Sequence, residues 1–151
     1  MRALSYRIET VIRRSPEDVF DFCSDLRSEL QWNPKVEYIE KLTDGPVGVG
    51  TRYSARWSGS GPTTVEIVAF DRPRGWETTT SARGMVIRFR GTVTDAAPGA
   101  HYTAYLELHP KGLAWLVAPL ALLAMRRQDQ QNMHRIREAV ESSTATQSTE
   151  R

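Results

Sequence analysis

The sequence holds one cysteine, Cys23, and three widely spaced histidines, His101, His109 and His134. A lone cysteine excludes an internal disulfide and a Cys-rich zinc site, and it fits a reducing compartment. There is no His-Glu-x-x-His, no Cys-x-x-Cys and no Gly-x-Ser-x-Gly elbow, so the usual metal, redox and nucleophile templates are missing. The Gly-x-Gly patterns at Gly48–Gly50 and Gly59–Gly61 fall between strand-like segments and do not open a helix, as a phosphate cradle would require. Neither charge is in excess: 20 Lys+Arg against 18 Asp+Glu leaves +2 over 151 residues, too balanced to point to nucleic acid. The longest apolar run, Leu113–Met125, spans 13 residues with Pro119 inside it, against about 20 for a membrane span. Met1–Thr10 is polar and lacks the apolar stretch of a secretory signal, so a cytoplasmic location is expected.

What is present is an ordinary globular balance, 40% apolar and 25% charged residues, in a chain long enough to bury roughly 68–70% of its unfolded surface. Leu4–Arg13 alternates, with Tyr6, Ile8, Thr10 and Ile12 on one face, and reads as a half-buried strand. Ser15-Pro16-Glu17-Asp18 is a helix start, with Ser at the cap, Pro at the first helical position and acids in the first turn. Val19, Phe20 and Cys23 give that helix an apolar side, where Cys23 reads as a small buried hydrophobe. A second short helix or turn ends near Trp32-Asn33-Pro34. Six strands follow, Val36–Leu42, Thr51–Ser58, Thr63–Phe70, Trp76–Ala82, Met85–Thr94 and His101–His109, with turn residues about every ten positions. Ala114–Glu141 reads as a long helix, with Met133, Ile136 and Val140 on its core-facing stripe. Ser142–Arg151 has no apolar period and is expected to be a disordered tail, leaving a single domain over 3–141. The order β-α-α-β6-α predicts an α+β fold in which a curved antiparallel sheet of about seven strands wraps the last helix, its only large cover.

Period two sorts the strand residues into two faces. Arg52, Arg56, Arg88 and Arg90 share one face with Glu66, Glu77 and Glu107, which predicts a solvated outer surface. Val68 and Phe70 fall on that charged side and hint at a dimer patch, so monomer and homodimer both fit. The inner face is almost free of ionisable groups. It carries Tyr53, Trp57, Trp76, Thr78, Ile87, Phe89, Tyr102 and Leu106, and Trp115, Leu116, Leu120 and Met133 from the last linker and helix complete a candidate ligand-binding set. An apolar wall with a few orienting hydroxyls is the composition of a small-molecule cavity. Acid–base candidates reduce to Asp25, Asp129 and His134 at its outer edge. No catalytic residue, metal or cofactor is assigned.

The opening strand running into Ser15–Phe20, the stretch Leu30–Val36, the turn Val47–Tyr53, the Asp71-Arg72-Pro73 turn and Met133–Glu141 together resemble the polyketide cyclase/dehydrase-like branch of the START-related helix-grip superfamily (SRPBCC). The resemblance covers about Tyr6–Glu141. It implies a helix-grip fold and binding of a small hydrophobic or aromatic ligand, lipid- or polyketide-like, between the sheet and the C-terminal helix. A cyclase/dehydrase-type enzyme that orients a reactive chain is the alternative. Weak membrane contact, as a peripheral lipid carrier, is a further expectation, because Leu113–Met125 is followed by Arg126-Arg127. Pro110–Pro119, with Lys111-Gly112 as a joint, is expected to act as a lid over one end of the cavity.

Overall fold

Ser15 opens the first helix as its sequence requires. Its hydroxyl accepts from the Asp18 amide at 3.2 Å, Pro16 occupies the first helical position, and Glu17 and Asp18 sit at the positive end of the dipole. In the computed structural model, which describes residues 3–149 and side chains as far as 142, this helix follows the first strand. The expected tail, Ser142–Arg151, lies beyond its first residue outside the described side chains. The elements are β1 (Leu4–Ile12), α1 (Pro16–Ser24), a 3-10 turn (Leu26–Ser28), α2 (Glu29–Trp32), β2 (Val36–Lys41), β3 (Arg52–Trp57), β4 (Thr63–Asp71), β5 (Gly75–Ala82), β6 (Met85–Ala96) and β7 (Gly99–Pro110). A 3-10 turn (Gly112–Leu116) then leads into α3 (Ala118–Thr149).

The strands form one seven-stranded antiparallel sheet in the order β1-β7-β6-β5-β4-β3-β2. Strands β2 to β7 are a meander, and β1, first in the chain, closes the far edge against β7. This is the α+β helix-grip architecture expected from the element order. Its cover differs in one respect. Alongside α3, the short α1 buries Val19 and Phe20 completely, with the Phe20 ring edge-on to both Phe70 and Trp76. The sheet therefore grips two helices, because a nine-residue helix with one wide apolar side is enough to cover its central strands.

Phe70 corrects a second expectation. Strand β4 carries a bulge, with Ile67 opposite Thr78 and Ala69 opposite Glu77. The extra residue moves the strand's phase by one, so Phe70 turns inward opposite Trp76 while Val68 stays outside and exposed. The expected pair on the charged face is reduced to Val68 alone.

Candidate functional site

The inner face is organised around Trp76. Its indole lies flat over Gly91 on the neighbouring strand, where an added Cβ would come within 2.3 Å of the ring. Tyr102 stacks on it at 6.0 Å with the planes 5° apart, and Phe20 meets it edge-on at 5.4 Å. Met85, Ile87 and Phe89 line the same face as partly buried side chains, and Tyr6, Ala104 and Leu106 continue it to β1 as buried ones. Tyr53, Ala55 and Ile67 form a second buried group toward β2, with Trp57 at its margin.

One end of this apolar interior is polar. On α3 the inward stripe runs Ala118, Leu122, Met125, Asp129, Met133, Ile136 and Val140, every step three or four residues. Asp129 is the acidic member of that stripe. It accepts a hydrogen bond from the Tyr6 hydroxyl of β1 and another from Asn132, and burial raises its pKa. Glu29, the first residue of α2, approaches from the other side. Its Oε2 accepts from Trp57 Nε1 at 2.8 Å and from Asn33 Nδ2 at 3.2 Å. Burial pushes its carboxyl up to about 7, those two donors oppose the rise, and the charge of Asp129 adds to it. Among the described residues, neither Glu29 nor Asp129 makes an ion pair.

Three tyrosines and the cysteine complete the surroundings. Tyr53 donates to Asp25 Oδ1 at 3.2 Å. Asp25 is partly buried, which raises it, but hydrogen bonds from Arg27 outweigh burial and hold it below the usual carboxylate range. Burial pushes the Cys23 thiol up to about 12, so Cys23 packs as a hydrophobe, as expected. Tyr102 is only 4% exposed, and its hydroxyl makes no hydrogen bond among the described residues. Burial raises it furthest, followed by the charges of Cys23, Asp129, Glu29 and Tyr6. The phenol therefore faces the same end as the two carboxyls.

Of the expected ligand-binding residues, Tyr53, Trp76, Tyr102, Leu106 and Met133 are buried and Trp57, Thr78, Ile87 and Phe89 are half-buried. Trp115, Leu116 and Leu120 lie apart, 40%, 77% and 72% exposed around the start of α3. The acids of the interior, Glu29 and Asp129, come from helices α2 and α3 and not from the inner face of the sheet. Asp129 is half-buried on the inward stripe of α3, whereas His134 is exposed and pairs with Glu138 at 2.9 Å. The outer face is charged as expected, with Arg90 held by Glu77 at 2.7 Å. It bears two open hollows of about 390 and 490 Å³ lined by mixed charges and hydroxyls, among them Glu77, Arg88 and Glu107 in the first and Arg52 and Glu66 in the second. Among the described residues no group of three or more His, Cys, Asp or Glu is placed to hold a metal, and no helix is long and apolar enough to cross a membrane.

A curved sheet closed on a long C-terminal helix, with an aromatic interior polar at one end, defines a domain of the helix-grip, SRPBCC class. The chain belongs to the polyketide cyclase / dehydrase and lipid transport family, whose model matches residues 3–141. Among solved structures it is similar to TTHA0849 from Thermus thermophilus (16% identity, 93% of this chain and 99% of that one, TM-score 0.76). It is similar also to Ara h 8.0201 (19% identity, 93% and 99%, TM-score 0.73). A third likeness is to the di-domain ARO/CYC StfQ from the steffimycin biosynthetic pathway (8% identity, 95% of this chain and 52% of that one, TM-score 0.75). At these identities the likeness shows the fold alone. A comparison with curated proteins found no match.

Proposed function

We propose that the chain binds a small hydrophobic ligand, lipid- or polyketide-like, between the inner face of the sheet and α3, with the ligand's polar end at Glu29, Asp129 and Tyr102. The observation that carries this reading is the polar cluster, held by neutral donors and without an ion pair among the described residues, at the end of an otherwise apolar interior. Two half-buried carboxyls whose pKa is raised by burial, held by neutral donors and without a countercharge, cost more at the end of an apolar interior than apolar side chains would. They are what a pocket uses to orient a ligand whose body is held by aromatic and aliphatic walls. The test is titration with the neutral naphthalene fluorophore prodan, together with native mass spectrometry of the freshly purified chain. One-to-one binding that is lost when Ile87→Trp fills the interior supports the reading. No co-purifying compound and no prodan binding would refute it.

A cyclase/dehydrase-type reaction on the same ligand is the second reading, favoured by a buried carboxyl near 7 beside a tyrosine hydroxyl, the pairing general acid–base catalysis needs at neutral pH. With a β-polyketone substrate, Glu29→Gln is then expected to lower kcat by roughly 10²–10⁴. A rate unchanged by that variant leaves the chain a carrier. Entry is proposed at the start of α3, where Leu113 (83% exposed), Leu116 and Leu120 face solvent close to Arg126 and Arg127. Flotation with phosphatidylglycerol vesicles tests whether that entry sits on a membrane.

A further inference from the structure

We propose that the polar end of the interior recognises a protonated nitrogen, so that the ligand is a hydrophobic amine with an apolar or aromatic body and one cationic head. The inference rests on the ligand-binding reading above and names the chemistry of its polar end.

Two acids reach this end from different elements, Glu29 from α2 and Asp129 from α3, and the charge of Asp129 is felt at Glu29. The donors that reach them are all neutral: Trp57 and Asn33 on a single oxygen of Glu29, Tyr6 and Asn132 on Asp129. Arg27 is engaged by Asp25 at 2.7 Å, Arg135 reaches the Asn132 side-chain oxygen at 3.0 Å, and Arg126 and Arg127, nearest to Asp129 in the chain, are exposed and make no ion pair with it. A neutral hydroxyl arriving here would satisfy one lone pair and, above the pH at which Glu29 ionises, leave the acids without a countercharge. A single ammonium placed between them answers both.

The remaining walls suit the same guest. Tyr102 is more than nine-tenths buried, its hydroxyl has no hydrogen-bond partner among the described residues, and it senses both acids. It has a lone pair to offer an N–H donor. Trp57 is tied to Glu29 at one margin, and Tyr102 stacks on Trp76, so the walls beside the acids are aromatic and suit an aromatic body.

The groups facing Glu29 and Asp129 are Asn33 after α2, Tyr6 on β1, Trp57 on β3, Tyr102 on β7 and Asn132 on α3, with Cys23 of α1 next to Tyr102. Tyr6, Tyr102 and Cys23 are held neutral by burial, and Glu29, pushed up to about 7, is the member of the set that changes charge between pH 5 and 8. Because Glu29 takes up its proton near 7, amine affinity should weaken as pH falls from 8 to 5 while that of a neutral analogue stays level.

The test uses two probes of one shape, 2-(1-naphthyl)ethylamine and 2-(1-naphthyl)ethanol, titrated calorimetrically into the full chain at pH 8 and pH 5. At pH 8 the amine is expected to bind at least tenfold tighter than the alcohol, with the preference shrinking at pH 5. Glu29→Gln and Asp129→Asn are each expected to cut amine affinity fivefold or more and leave alcohol affinity within twofold. Should one variant fail to fold, the wild-type amine/alcohol ratio and its pH dependence decide the matter. Equal affinities at pH 8, or a preference that survives in both variants, overturn the proposal. Prodan binding without any preference for the amine removes this inference and keeps the hydrophobic-ligand reading. Binding of neither probe nor prodan removes both.

Discussion

Gly91 is where the aromatic stack of the interior touches backbone. A methyl group there would meet Trp76 at 2.3 Å, and Trp76 is held from the other sides by Phe20 and Tyr102, so the ring has nowhere to retreat. Gly91→Ala is expected to cost about 1–3 kcal/mol, the usual toll of overpacking, seen as a lower urea midpoint and a changed near-ultraviolet dichroism. Glu29 makes a different prediction. Burial lifts its carboxyl from 4.5 to about 7, so between those values the folded chain keeps a proton that the unfolded chain has released. The stability linked to this group is full below about pH 4.5 and declines as pH rises through 7. Glu29→Gln, which stays neutral and still offers an acceptor to Trp57, should match the wild type in urea melts at pH 4.5 and exceed it at pH 8. An equal gap at both values would refute the assignment. The inward aromatics were legible because period two in a strand settles which face a residue takes. Glu29 was not, because a four-residue helix has no period long enough to orient it. Asp129 was half legible: it continues the spacing of Met133, Ile136 and Val140 backward, but a carboxylate on a core stripe reads as an interruption until Tyr6 is found opposite it.

Strand β4 and helix α3 show how one element can carry two environments. Period two without the bulge assigns Val68 and Phe70 to the same wet face, and equal, near-neutral mutations would follow. With the bulge they separate. Phe70→Ala should cost roughly 3 kcal/mol, as truncation of a packed Phe does, while Val68→Thr should stay within about 0.5 kcal/mol, both read from chemical denaturation. A bulge is hard to read from sequence because it depends on how the partner strand pairs. On α3 the distal half buries Met133, Ile136 and Val140, whereas the start is apolar on its outward side too, with Leu120 and Leu123 exposed. The preceding 3-10 turn holds Trp115 only half covered. Trp115→Ala is therefore expected to lose well under the roughly 3–5 kcal/mol of a core tryptophan and to change ligand exchange rates, measured by stopped-flow displacement of prodan. A melt as damaged as that of a core mutant, with exchange unchanged, would make Trp115 packing and end its role as a lid.

Across the whole molecule the element order was legible from turn spacing alone, and so was the sheet's need for a cover. The share of that cover taken by α1 was not, since only the three-dimensional path brings Phe20 over Trp76. The two ends of the chain are sewn together: Tyr6 reaches Asp129, and beyond β1 the Arg13 amide donates to Glu141 Oε1 at 3.1 Å while the Arg14 guanidinium donates to the Glu141 carbonyl oxygen. The pairing of β1 with β7 sets Leu4 opposite Leu108 and Ile12 opposite Ala100. On a ribosome β1 is made before its partner β7 and has no strand to join until β7 has emerged, and the α3 residues that fasten it come later still. The meander β2–β7 can form from neighbours, but this closure must wait for nearly the whole chain and bears the loop entropy of a distant contact. Ile8→Val should then leave the folding rate nearly unchanged and show its loss as faster unfolding in a stopped-flow chevron. Until β7 arrives, the apolar side of β1 must be kept from pairing with other chains.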